Sequence, residues 1–92
     1  MLYFGDVEAD DVLDRGRAAY ARRSWVAAYE SLTRVERVRP LEPDDLWRLA
    51  MAAWLIGRDR DFLSALERAH RRHLADGAAV DAARCAFWLG FA

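Results

Sequence analysis

The chain matches itself. Displaced by 34 residues, Gly16 falls on Ala50, Ala19 on Ala53 and Tyr20 on Trp54, while Leu32 falls on Leu66 and Val35 on Ala69. Small coincides with small, aromatic with aromatic, and aliphatic with aliphatic. A fixed period of this length marks stacked supersecondary units, each unable to bury its apolar face alone. The spacing has a physical reason. Two helices cross closely only where a small side chain lets the backbones approach, so Gly16, Ala28, Ala50 and Ala69 are expected at crossings, with larger neighbours filling the remaining space.

The units read as helical. Ala, Arg, Leu and Glu fill most positions and favour helix, and β-branched residues never alternate with polar ones, so no strand is expected. Breakers divide the chain. Asp6, Asp10 or Asp11 is placed to cap a first helix running to about Arg22, and Ser24 to cap a second that ends before Pro40. In "RPLEPDD", Pro43 fits a first helical turn whose positive end suits Asp44 and Asp45. That third helix runs to Ile56 and stops at Gly57. Asp59 is placed to cap a fourth, about 60–74, closed by "ADG", and a fifth starts near Ala79 and is still running at Ala92. Short loops make neighbouring helices antiparallel.

Composition narrows the class. Ninety-two residues suit one small domain, and 54% apolar with 32% charged residues is not the composition of a disordered chain. A net charge of −1 gives no global field for nucleic acid. All fourteen basic residues are Arg, as high-GC bacterial codon usage produces. The lone cysteine, Cys85, fits a reducing compartment, there is no membrane-length apolar run, and the start "MLYFGDVEADD" lacks a signal peptide's basic region. A cytoplasmic location is expected.

The local pattern is similar to the tetratricopeptide repeat. Gly16 stands at its first-helix small position, Ala28 with Leu32 at its A-x-x-x-F, and Pro40 at its closing proline. In a second copy, Leu46, Leu49 and Ala50 replace W-x-x-L-G, with Leu66 and Ala69 at the second-helix positions. Departures mark the repeats as degenerate: Arg15 where Leu is usual, Ala19 and Ala53 where Tyr is usual, and Phe62 where Ala is usual. "FWLGFA" contains Leu89 and Gly90, the L-G of a third first helix whose partner helix is not in the sequence. The expectation is an all-α, right-handed solenoid of about five antiparallel helices forming one domain over 1–92. Repeat 1 spans about 7–40, repeat 2 about 41–76, and an incomplete third about 78–92.

"RAAYARRSWVAAYESL", "RPLEPDDLWRLAMAAWLIGRD", "ALERAHRRHLADG" and "AARCAFWLGFA" resemble the N-terminal helical-repeat region of actinobacterial LuxR-type transcriptional regulators, over about 7–92. The resemblance implies a sensing or protein-contact role, in a fragment or a shortened relative of a regulator. That family's helix-turn-helix has no counterpart here, so direct nucleic-acid binding by these residues is not expected.

Catalytic motifs are lacking: there is no phosphate loop, nucleophile motif or paired-carboxylate pocket, and no cofactor is implied. His70 and His73 lie one turn apart, flanked by Arg71 and Arg72, and read as a solvated helix end more than as metal ligands. Cys85 reads as a buried thiol. "RVERVR" and "RAHRRH" are basic, but acidic stretches balance them.

The surface to expect is the concave groove that first helices line in such repeats. That places Leu13, Arg17 and Tyr20 there from repeat 1, Trp47, Met51 and Trp54 from repeat 2, and Phe87 and Phe91 from the third. Tyr, Trp, Met and Arg are enriched at interface hot spots. Trp25, Trp88 and Leu32 read as core between paired helices. A protein or peptide partner is expected, the alternatives being a stand-alone adaptor binding a peptide or a small-molecule sensor stacking its ligand on Trp47 and Trp54. Each aromatic left wet forfeits up to about 4–6 kcal/mol. Phe87, Trp88 and Phe91 therefore predict self-association through helix five, as a two-fold dimer or by helix exchange.

Overall fold

The computed structural model describes residues 6–91, with side chains described for 7–90. Five helices account for them: α1 (Asp6–Ala21), α2 (Trp25–Glu36), α3 (Pro43–Leu55), α4 (Asp59–Ala75) and α5 (Ala79–Phe91). No strand occurs among the described residues. No helix there is long and apolar enough to cross a membrane.

The 34-residue period is written into the backbone. After α1, the amide of Arg23 donates to the carbonyl of Tyr20 and that of Ser24 to Ala19, at 3.0 and 2.8 Å. Thirty-four positions on, Gly57 donates to Trp54 and Arg58 to Ala53, at 3.1 and 2.7 Å. Both are the paired bonds that close a helix around one residue of positive φ. Gly57 takes that conformation at φ +81° without a Cβ penalty, whereas Arg23 takes it at φ +64°. The end of α4 repeats the device around Gly77.

Helix starts are less regular than the sequence suggests. Pro43 opens α3 as expected, with Glu42 in the capping position. Asp10 and Asp11, read as possible caps, lie inside α1, and Asp59 is the first residue of α4, after Arg58. Ser24 precedes α2 but makes no side-chain cap bond.

The buried positions also recur. Val12 and Leu46, Ala19 and Ala53, Leu32 and Leu66, and Val35 and Ala69 are all shielded from water at matched places in the two hairpins. Gly16 sits where α1 meets α2 so closely that a Cβ would lie 3.1 Å from the Ser31 Cβ and 3.2 Å from the Leu32 Cγ. Gly90 is different. A Cβ there would meet nothing within 4 Å, so no close crossing explains it. Packing is sequential, α1 on α2, α2 on α3, α3 on α4 and α4 on α5, with α1 also touching α3. Side chains add links between alternate helices, described next.

Candidate binding face

Odd-numbered helices share a face whose two junctions are built from different chemistry. Between α1 and α3 the link is ionic. The Arg17 guanidinium donates through Nε to Asp45 Oδ1 at 2.9 Å and through Nη2 to Oδ2 at 2.7 Å, while Arg48 Nη1 reaches Oδ1 at 3.0 Å. Asp45 is only 1% exposed, and its carboxylate, mainly through these hydrogen bonds, raises the Arg17 pKa above its ordinary value. A planar guanidinium fork on a carboxylate fixes geometry as well as charge. Arg17 is therefore committed to Asp45. The expectation that Asp45 serves only the helix dipole misses its partner.

Between α3 and α5 the link is aromatic. Trp88 of α5 sets its ring edge-on to Trp47 and Trp54 of α3, with centroids 6.4 and 5.4 Å away. Phe87 packs on Trp88 at 6.3 Å, and Trp54 continues to Phe62 of α4 at 6.1 Å. Edge-to-face pairs of this kind each contribute about 0.5–1.5 kcal/mol beyond burial. The Arg84 guanidinium lies over the Trp47 ring, 4.0 Å from its centroid, a stack worth about 0.5–1 kcal/mol at so exposed a site. The row stays partly wet, Trp54 being 47% and Phe87 62% exposed.

The expected groove residues therefore separate. Trp47, Trp54 and Phe87 belong to the row. Leu13 and Met51 are instead buried in the core, 9% and 7% exposed. Tyr20 lies apart from the row, half-buried and edge-on to Trp25 at 5.4 Å. The side chain of Phe91 lies outside the described residues. Leu32 is core, while Trp25 and Trp88 are only partly buried. Arg84 was not among the expected site residues, although it is the one charged residue from Ala82 onward.

A shallow pocket beside Arg37, Pro40, Leu41, Arg68 and Arg72 has basic walls. Glu36 neutralises Arg68, however, and Glu42 lies 3.2 Å from Arg72. Burial pushes the Cys85 thiol above its usual range, away from thiolate reactivity. His73 is not on a solvated helix end: it is 4% exposed and its Nε2 has no hydrogen-bond partner. Among the described residues, no group of three His, Cys, Asp or Glu is placed to hold a metal.

No family model, curated protein or solved structure matches this chain.

Proposed function

We propose that the chain is a non-catalytic protein-interaction module, a tetratricopeptide-like right-handed solenoid that holds a peptide along the row Trp47, Trp88 and Trp54. The observation that carries this reading is the contrast in saturation. At the α1–α3 junction the buried Asp45 carboxylate is held by both Arg17 and Arg48, with Asp14 3.9 Å from Arg17, whereas the aromatic row leaves Trp54 substantially exposed, near an Arg84 guanidinium stacked on Trp47. Rigid aromatic rings with an Arg beside them are the residue types that anchor interfaces at low entropic cost. We further place the module in a LuxR-type transcriptional regulator, in the cytoplasm, on the strength of the sequence resemblance and the 34-residue recurrence of both turn and core.

The test begins with a randomised peptide library selected on the protein. The strongest binder is then titrated while tryptophan fluorescence is followed. Saturable binding is expected, weakened about 30-fold by Trp54→Ala, as hot-spot truncation at about 2 kcal/mol implies. Absence of any saturating peptide, or indifference to Trp54→Ala, contradicts the reading. Quenching by a metabolite without peptide binding points to a sensor. The coding sequence after codon 92 tests the regulator assignment: an in-frame helix-turn-helix supports it, and a stop codon favours a stand-alone adaptor.

A further inference from the structure

A separate surface lies on the outer side of α5. Val80, Ala83, Phe87 and Gly90 recur at steps of three and four and share one side of the helix, away from the buried Ala82 and Cys85. Val80 is 85% and Phe87 62% exposed, Ala83 is exposed, and a side chain added at Gly90 would meet nothing. Ala79 and Ala86, on the flank of this stripe, are exposed as well. Arg84 is the one charged residue of the helix in the exposed class, and it faces Trp47 and Asp81. The contrast is α1, whose exposed side carries Glu8, Asp10, Asp11, Asp14, Arg15 and Arg17. Charge keeps the exposed side of α1 in water, and the outer side of α5 carries no comparable charge.

We propose that this stripe docks against the same stripe of a second copy, antiparallel about a two-fold axis. Two features choose this occupant. The stripe bears no charge, so an identical surface meets it without the like-charge repulsion that most surfaces suffer with themselves. Its order is large, small, large, small, and an antiparallel copy sets Val80 opposite Gly90 and Phe87 opposite Ala83, so each bulky side chain meets a small one. A parallel copy would set Phe87 against Phe87 and Gly90 against Gly90, leaving a gap at the latter. A helix pair of 13 residues, roughly 20 Å long, buries an area at the low end of specific interfaces. This proposal assigns Phe87 and its outer neighbours to self-association and leaves Trp88 to the junction with α3. It stands apart from the peptide reading.

Sedimentation equilibrium of the full chain between 1 and 200 μM tests it. The average mass is expected to rise from 10.5 kDa toward twice that value. Ala83→Arg, a change at an exposed position, should weaken association about a hundredfold by bringing like charges together, while Ala18→Arg on α1 should leave it unchanged. Unaltered circular dichroism checks that both variants fold, and unaltered peptide affinity of Ala83→Arg separates this surface from the aromatic row. Orientation is read by cross-linking under oxidised glutathione. A mixture of Val80→Cys and Gly90→Cys copies is expected to join as the mixed pair. Val80→Cys alone should not, because antiparallel packing sets its two copies about 15 Å apart along the axis. A wild-type monomer throughout, undiminished association of Ala83→Arg, or ready joining of Val80→Cys with itself overturns the proposal.

Discussion

The α1–α3 and α3–α5 junctions occupy successive places on the same face, yet one is a closed lock and the other an open shelf. In the first, one buried carboxylate receives two guanidiniums, leaving little unmet demand. In the second, rings touch by their edges, and edge contacts leave faces available. Ionic pairing is directional and saturates, whereas aromatic packing is additive and accepts another partner. The difference teaches where a helical stack of this kind closes on itself and where it leaves aromatic surface exposed.

The largest test of that comparison removes the centre of the open junction. Trp88→Ala deletes the contacts with Trp47, Trp54 and Phe87 together. It is expected to lower unfolding free energy by about 3 kcal/mol in urea titrations. A loss below about 1 kcal/mol would mean that α5 is held by α4 alone. Next comes the lock. Asp45→Ala leaves Arg17 and Arg48 without their anion, but both guanidiniums are partly exposed, at 43% and 33%, and regain water. About 2 kcal/mol is therefore expected, below the 3–5 kcal/mol of a wholly buried pair. Equal losses from Trp88→Ala and Asp45→Ala would erase the energetic distinction between the junctions.

Smaller effects compare the hairpins that carry the junctions. The two turns are superimposable in hydrogen bonding, but the first places Arg23 where the second has Gly57. Arg23→Gly should raise stability by about 1 kcal/mol, and Gly57→Ala should lower it by a similar amount. Thermal melts showing no change at either site would contradict the equivalence of the turns. On the opposite face, Tyr29 donates to Asp61 and is overlain by Arg58. The bond to the carboxylate raises the phenol pKa above its usual 10.0. A raised folded-state pKa contributes stability that is complete below the unfolded value and disappears as pH climbs through the folded one. Urea midpoints should thus fall more for the wild type than for Tyr29→Phe as pH climbs above 10, though modestly for a partly exposed group.

How much of this was legible in residues alone follows from range. Helix ends set by Pro43, Gly57 and "ADG" were readable because each acts on its own backbone. The period was readable because Gly16 and Ala50 obey the same steric demand. Asp45 was not: its neighbours in sequence suggest a helix dipole, and its partner is 28 residues away. The same holds for His73, whose arginine neighbours suggest solvent while helical rotation turns it inward. Arg23 hides because positive φ at a non-glycine leaves no mark in composition. Leu13 and Met51 lie in the buried core, a placement that side-chain type and spacing alone do not reveal. Trp47 and Trp54 stay partly or largely exposed, since rings that large remain partly outside even when packed.

The four tryptophan indoles offer the most direct measurement. Trp47, Trp54 and Trp88 form the row, and Trp25 sits elsewhere against Tyr20. In a nitrogen–proton correlation spectrum of the labelled chain, titrated with a peptide selected on it, the indole signals of the three row residues are expected to move together and saturate while Trp25 stays in place. Movement of Trp25 alone, or of none of the four, would contradict the assignment of the α3–α5 face as the binding surface.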